Sequence, residues 1–199
     1  IEMYQTLYMW EEAIGVAEAR GHPDTADMRS SYTQYLLDSG QEEKAGALKE
    51  RSGDFVAAIN LYIKAGMPAR AARLATERSL GGSSLLDGIA TALAAAGMHD
   101  KAGEFYERLD QPQRALDSYS RGHAYRRAVE LARRCFPAQV VRLEEAWGDW
   151  LVSGKQVDTA IAHYIEANAH TKAIEAALSS RQWAKAGQLV DAVGPDVGR

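Results

Sequence analysis

The chain has 199 residues, of which 46% are hydrophobic and 25% are charged, and it carries a net charge of −4. This composition is typical of a folded rather than a disordered protein, and the acidic balance argues against a general nucleic-acid binder, which is usually basic. The only cysteine, Cys135, excludes an internal disulfide framework and favours a reducing compartment.

Neither a membrane span nor a signal peptide is predicted. No apolar run approaches the ~20 residues that cross a bilayer, and no targeting segment is recognisable at the start. Because the chain begins at Ile1 rather than at a methionine, we expect it to be a piece of a longer protein.

The predicted secondary structure is entirely helical. Alternating runs of Val, Ile and Thr are missing, whereas Ala, Leu, Glu, Arg and Lys, which favour helices, dominate. In chain order, longer helices are predicted at Asp24–Ser39, Ser83–Ala96 and Pro137–Ser153. Each is followed by a glycine: Gly40, Gly97 and Gly154. Residues before these elements are expected to hold the last helix of a preceding unit, around Ala13.

Three short helices follow each longer one, and an alanine marks each of them. These alanines recur every 13 residues in three triples: Ala45, Ala58 and Ala71; Ala102, Ala115 and Ala128; Ala160, Ala173 and Ala186. Around Ala58 the apolar residues share one helix face. Gly66 is expected to end that helix in a left-handed conformation, and Pro68 to start the next. Thirteen residues therefore make one helix of roughly ten residues and a tight turn.

Corresponding alanines in successive triples lie 57 or 58 residues apart, which defines a larger repeat of one long and three short helices. Tyr62 and Tyr119 keep this period, and so do Tyr106 and Tyr164. Trp10 and Trp183 occupy equivalent positions in different repeats. A short amphipathic helix cannot bury its apolar face alone, so such repeats stack into a solenoid. We expect the alanines at close helix crossings and the tyrosines in the space beside them.

The predicted fold class is therefore all-α: a tetratricopeptide-like α-solenoid of stacked antiparallel helices, with a large repeat of about 57 residues. The tetratricopeptide pattern W-x2-L-G-x2-Y is only partly present, so a standard array is not expected. The whole chain, 1–199, is predicted to be a single α-solenoid segment. Its parts are a partial unit at 1–23, units at 24–82, 83–136 and 137–193, and a tail at 194–199.

Four segments carry a closer likeness: MYQTLYMWEEAIGVAEARGHP, INLYIKAGMPARAARL, ELARRCFPAQVVRLEEAWGDWLV and AIAHYIEANAHTKAIEAALSSRQWAKA. Together they resemble the helical-repeat region of the intraflagellar transport protein 172 family, whose members are subunits of ciliary transport complex B. The likeness covers nearly the whole chain, apart from the loop at 80–83 and the tail after residue 193, and it rests on whole segments rather than on one short motif.

This resemblance implies a structural role in the cilium or flagellum. The family helps to assemble transport trains that kinesin and dynein move along the axoneme, and its C-terminal repeats are implicated in joining complex B to complex A. The implied partners are other transport subunits, and the implied locations are the axoneme, the basal body and the cytoplasm. The family's N-terminal β-propellers lie outside this chain, and its proposed C-terminal ubiquitin-ligase-like element has no matching segment here.

No catalytic group, cofactor or metal is predicted. One cysteine cannot build a Cys-rich zinc site, and no histidine pair has H-E-x-x-H spacing. Cys135 lies at the apolar end of a helix and is expected in the core. Ser84, with Asp87 three residues later, is expected to cap the next long helix. Adjacent carboxylates such as Glu144 and Glu145 point about 100° apart on a helix and are expected to be surface charges.

One charged cluster raises the question of partner binding. Between positions 121 and 142 the only acidic residue is Glu130, so the local charge is +5. The basic residues are Arg121, Arg126, Arg127, Arg133, Arg134 and Arg142. The cluster is either an ordinary solvated face or a docking patch for an acidic partner protein or an anionic membrane surface.

The alternatives to a ciliary scaffold are a vesicle-coat-type solenoid, another tetratricopeptide-like adaptor, and an enzyme. A carboxylate-clamp adaptor needs several Asn and Lys residues on one surface, and this chain has only Asn60 and Asn168, in different units. No convergent catalytic groups support an enzyme. Apolar faces near Trp10 and Trp183, which neighbouring repeats would cover, are expected to give weak end-to-end self-association.

Overall fold

The computed structural model describes residues 9–193, and within that range it contains thirteen α-helices, one short 3₁₀ helix at Pro137–Gln139 and no strand. The α-helices are α1 (Trp10–Ala19), α2 (Thr25–Asp38), α3 (Glu42–Arg51), α4 (Phe55–Lys64), α5 (Pro68–Glu77), α6 (Ser83–Ala95), α7 (His99–Arg108), α8 (Pro112–Arg121), α9 (Tyr125–Cys135), α10 (Val140–Ser153), α11 (Val157–Glu166), α12 (His170–Ser179) and α13 (Trp183–Val193). The predicted tail at 194–199 and the start of the first quoted segment lie outside the described residues.

The chain divides into two compact units, one ending at Ala96 and one beginning at Gly97. The first contains α1 to α6, and the second contains α7 to α13. Within each unit consecutive helices pack on each other, and α4 also contacts α6. The all-α helical-repeat prediction is confirmed, whereas the predicted boundaries of the individual repeats remain a prediction.

The 13-residue spacing is that of a ten-residue helix and a three-residue turn, as in α3, α4 and α5. In the turn after α4, Gly66 has a φ of 72°, and the N–H of Met67 donates to the carbonyl of Tyr62 at 2.8 Å. These two features together close a helix end. Pro68 is the first residue of α5, as predicted.

The left-handed turn residue is not always the glycine. Gly154 ends α10 with a φ of −82°, and Lys155 instead takes the left-handed φ of 60°. Gly122 behaves in the same way, since its φ is −83° and that of His123 is 57°. A Cβ on Gly122 would lie 2.6 Å from Oδ1 of Asp100, so glycine is needed there for the close approach to α7.

The nine repeat alanines form the inner contacts of the helices. Eight of them are 0% exposed, and Ala186 is 3% exposed. Three tyrosines fill the space beside them, each packed over a glycine sixteen residues earlier. The pairs are Gly46 with Tyr62, Gly103 with Tyr119, and Gly148 with Tyr164. The tyrosines were expected, but the glycines beneath their rings were not.

Two local expectations are wrong. Cys135 is exposed, because α9 ends at this residue and its buried face ends at Ala132. Ser84 does not begin a helix. The first residue of α6 is Ser83, preceded by Gly82, which has no side chain to cap the helix with.

The apolar faces expected at Trp10 and Trp183 differ from each other. Trp10 stacks on Tyr32, with ring centroids 5.9 Å apart, and on Tyr35 at 6.4 Å, so α2 covers part of its surface and Trp10 is half-buried. Trp183 is 65% exposed, as expected. End-to-end self-association remains a prediction.

Two helical glycines provide a matched test of the tyrosine packing. A Cβ on Gly46 would lie 2.7 Å from Cε1 of Tyr62, whereas a Cβ on Gly15 would meet no atom within 4 Å. We expect Gly46→Ala to lower the free energy of unfolding by about 1–3 kcal/mol through overpacking. Gly15→Ala should raise it by about 0.5–1 kcal/mol, because alanine favours the helix. Urea denaturation followed by circular dichroism measures both, and equal effects would contradict the packing.

Candidate protein-docking surface

The six predicted arginines lie on three consecutive helices of the second unit. Arg121 ends α8, Arg142 lies in the first turn of α10, and the other four are on α9. All six are exposed at the protein surface. We call this set the arginine surface.

Four of these arginines are paired with carboxylates. Two pairs involve α9 and α10 alone: Arg126 Nε lies 3.2 Å from Glu130 Oε1, and Arg133 Nη2 lies 3.0 Å from Glu144 Oε1. The other two bind carboxylates of α7. They are Arg127 with Glu104, and Arg134 with Glu107, whose Nη2 and Oε2 atoms are 2.9 Å apart. A local count along the sequence missed the α7 carboxylates because they lie more than twenty residues earlier.

The charge available to a partner is therefore concentrated on fewer residues than the sequence indicated. The Arg126 side chain is 83% exposed, and its bound Glu130 is on the same helix and also exposed. Within residues 9–193, Arg121 and Arg142 have no carboxylate at ion-pair distance. These three arginines therefore form no ion pair with another helix within residues 9–193.

Arg127 also belongs to a structural motif that the chain repeats. It lies over the ring of Tyr119, 5.9 Å from the centroid, and Tyr119 donates a 2.6 Å hydrogen bond to Glu107. A tyrosine, a carboxylate that accepts its hydrogen bond and a cation eight residues after the tyrosine recur twice more. The sets are Tyr62, Glu50 and Arg70, and Tyr164, Asp149 and Lys172.

This arrangement holds the tyrosines in their neutral form. Burial, together with the hydrogen bond to Glu50, raises the pKa of Tyr62 to about 12. Burial and the hydrogen bond to Asp149 raise the pKa of Tyr164 to about 12 in the same way. A phenolate there would lose solvation and lie beside a carboxylate.

Glu144 departs from the expectation for adjacent carboxylates. It is only 3% exposed, since it shares the buried face of α10 with Leu143 and Gly148. Its Oε2 atom lies 2.8 Å from Nδ1 of His163 on α11, in addition to the pair with Arg133. The surface prediction is wrong for Glu144, which links α9, α10 and α11.

An aromatic groove lies beside Arg126 and Arg127, with a volume of about 460 Å³. Its aromatic lining is His123, Tyr125, Trp147 and Trp150. His123 stacks on Trp150 with centroids 5.9 Å apart, and Trp150 is 40% exposed. Trp, Tyr and Arg are the residues most enriched at energetically important interface positions. This groove was not predicted from the sequence, although the aromatic residues next to the arginine cluster were a signal for it.

No group of three or more His, Cys, Asp or Glu side chains that could hold a metal occurs within residues 9–193. Over the same residues, no helix is long and apolar enough to cross a membrane.

Comparison of the sequence with known proteins shows which proteins this chain is related to. The chain is 54% identical over 193 residues to the intraflagellar transport protein 172 homologue of Mus musculus. This segment belongs to the intraflagellar transport protein 172 family. The family protein of Chlamydomonas reinhardtii is 49% identical over 197 residues, and intraflagellar transport protein osm-1 of Caenorhabditis elegans is 39% identical over 193 residues.

The match covers almost all of this chain but only a small part of its relatives. The mouse relative aligns with 96% of this chain, but the chain spans only 11% of the length of that relative. No protein-family model matches the chain. Among solved structures, BtubC (BKLC) from P. vanneervenii is 18% identical in sequence, and the match covers 96% of this chain and 89% of the BtubC chain. The TM-score of 0.31 is too low for this match to bear on function.

The pKa of Tyr62 predicts a loss of stability at high pH. Its pKa in the folded protein is raised from 10.0 to about 12, so the stabilisation is complete below about pH 10 and is lost as the pH rises towards 12. We expect Tyr62→Phe to remove part of this alkaline loss, because phenylalanine has no hydroxyl to ionise. Urea denaturation between pH 8 and about 11 measures the free energy of unfolding, and identical pH profiles for the variant and the unmodified protein would contradict the assignment.

Glu144 and Glu145 form a natural matched pair. Glu145 is partly exposed and lies 2.7 Å from Nζ of Lys172. Glu144→Gln should lower the free energy of unfolding by about 1–3 kcal/mol, because it removes the charge of a buried carboxylate that pairs with both Arg133 and His163. Glu145→Gln should cost less than about 1 kcal/mol. Equal losses in chemical denaturation would show that Glu144 is not the buried link described here.

Proposed function

We propose that the chain is a non-catalytic scaffold segment of an intraflagellar transport complex B subunit. It provides protein-interaction surface for the assembly of transport trains and for cilium biogenesis, and it helps to link complex B to complex A. The observation that carries the proposal is the 54% identity to a protein named for intraflagellar transport, along 96% of this chain. The implied locations are the axoneme, the basal body and the cytoplasm.

The helical-repeat fold by itself fits a vesicle-coat-type solenoid or another adaptor equally well. The names of the relatives favour transport in the cilium, since the mouse, algal and nematode proteins are all intraflagellar transport proteins by name. A stack of several helices in each unit offers surface to partners, which suits a scaffold.

The proposed docking patch is the arginine surface, and its proposed partner is an acidic face of another transport subunit. Arg121, Arg126 and Arg142 make the contacts in this proposal. Within residues 9–193 Arg121 and Arg142 have no carboxylate at ion-pair distance, and Arg126 is 83% exposed with its carboxylate partner on the same helix. Arg127, Arg133 and Arg134 hold the helices together through their carboxylates and supply the rest of the positive field.

A charge-reversal experiment tests this role. The protein that carries this chain is expressed with Arg121, Arg126 and Arg142 changed to Glu, in ciliated cells that lack the endogenous protein. Binding to purified transport particles should fall about tenfold or more and lose part of its salt dependence. The matched control changes Arg20, Lys64 and Arg181 to Glu, an equal charge change at exposed residues elsewhere.

Three outcomes would overturn parts of the proposal. If the unmodified protein does not co-fractionate with ciliary transport particles, the scaffold role fails. If the arginine variant binds particles with unchanged salt dependence, the docking patch fails. If it keeps particle binding but loses binding to vesicles of anionic lipid, the arginine surface contacts membrane and not a protein.

A further inference from the structure

A second groove lies in the first unit, far along the sequence from the arginine surface. It is bounded by α1, α2 and α3 and has a volume of about 370 Å³. Ile14, Tyr32 and Leu48 line it and are called its apolar floor, and the small residues Gly15 and Ala47 line it as well. A Cβ added at Gly15 would meet no atom within 4 Å, so there is open space next to this residue.

The two long edges of the groove carry opposite charges. Glu11 and Glu18 lie seven residues apart on α1, and both are bonded to α2. Tyr32 donates to Glu11 Oε1 at 3.3 Å, and Arg29 Nε donates to Glu18 Oε1 at 3.0 Å. The acidic edge is therefore already engaged by the protein itself.

The basic edge is not engaged in this way. Lys44 and Arg51 lie seven residues apart on α3, and both are exposed. Within residues 9–193 neither has a carboxylate at ion-pair distance. The groove thus presents two available cations beside an apolar floor, with Leu48 midway between them along α3.

The spacing of these cations indicates whether a helical or an extended partner segment fits the groove. Seven helical residues span about 10 Å. On a partner helix, residues i and i+7 share a face at this same distance, and the residues at i+3 and i+4 lie between them on that face. An extended strand would cover about 10 Å in three residues, but residues three apart on a strand point to opposite sides. Two carboxylates on a helix therefore match Lys44 and Arg51, and two on a strand do not.

We propose that this groove binds an acidic amphipathic α-helix of a partner protein, with two carboxylates seven residues apart and an apolar side chain between them. The carboxylates pair with Lys44 and Arg51, and the apolar side chain packs on Leu48, Ile14 and Tyr32. The inference rests on the scaffold role proposed above, and it specifies the chemistry of one partner.

Two synthetic helical peptides test the proposal by fluorescence anisotropy with the 199-residue chain. The first carries glutamates at i and i+7 and leucines at i+3 and i+4. The second has the same composition, with the glutamates moved to i and i+5, which places them on different faces. We expect the first peptide to bind at least about tenfold more tightly than the second at low salt.

Variants of the chain locate the binding. Lys44→Glu with Arg51→Glu should weaken binding of the first peptide about tenfold or more, because like charges would face each other. Gly15→Trp should abolish it by filling the groove, whereas Gly15→Ala should leave it unchanged. Since position 15 is open and helical, both substitutions are expected to fold, and circular dichroism checks this.

The outcomes separate this inference from the proposed function. Equal binding of both peptides, no detectable binding, or binding that survives Gly15→Trp would each overturn it. A monomer–dimer equilibrium that Gly15→Trp abolishes would assign the groove to a second copy and also overturn it. The variant with Arg121, Arg126 and Arg142 reversed should bind the first peptide normally, so the groove can fail while the arginine surface stands.

Discussion

A helix of ten residues has too little surface to be stable by itself, so the fold depends on close contact between neighbouring helices. The contact is made by an alanine at 13-residue intervals, and all nine such alanines are buried. Glycines also allow close contact between helices. Gly46, Gly103 and Gly148 have no side chain, so a tyrosine ring lies directly on the helix backbone at each of them. Each ring is then fixed by a carboxylate at its hydroxyl and a cation near its face.

These contacts also decide which charged residues are available for binding. Arg127 and Lys172 lie near tyrosine rings and pair with carboxylates, so much of their charge is used within the protein. Arg121, Arg126 and Arg142 lie outside such sets. The repeat thus sorts the basic residues into those that hold helices together and those that face solvent, and the second group is where partner contacts are proposed.

The fold was largely predictable because the sequence signals that determine each helix lie within or next to that helix. Helix formers, the alanine spacing and turn signals such as Gly66–Pro68 lie within a few residues of what they determine. The left-handed turn at Lys155 was not predictable, because glycine occupies the position before it. The exposure of Cys135 escaped prediction for a similar reason, since it depends on where α9 ends relative to its neighbours.

The candidate sites were only partly predictable, because they depend on residues far apart in the sequence. The arginine cluster was visible from composition, but its pairing with Glu104 and Glu107 required the packing of α9 near α7. Burial of Glu144 required the position of His163 on α11. The groove of the first unit combines residues of three helices, each of which looks ordinary by itself.

Cross-linking mass spectrometry of assembled transport particles tests the scaffold role most directly. Lys44 lines the groove of the first unit, and Lys101 lines the aromatic groove beside Arg126. The scaffold account predicts cross-links from both lysines to other transport subunits. It would be contradicted if other parts of the same protein cross-link to those subunits while every cross-link from this segment stays within its own chain.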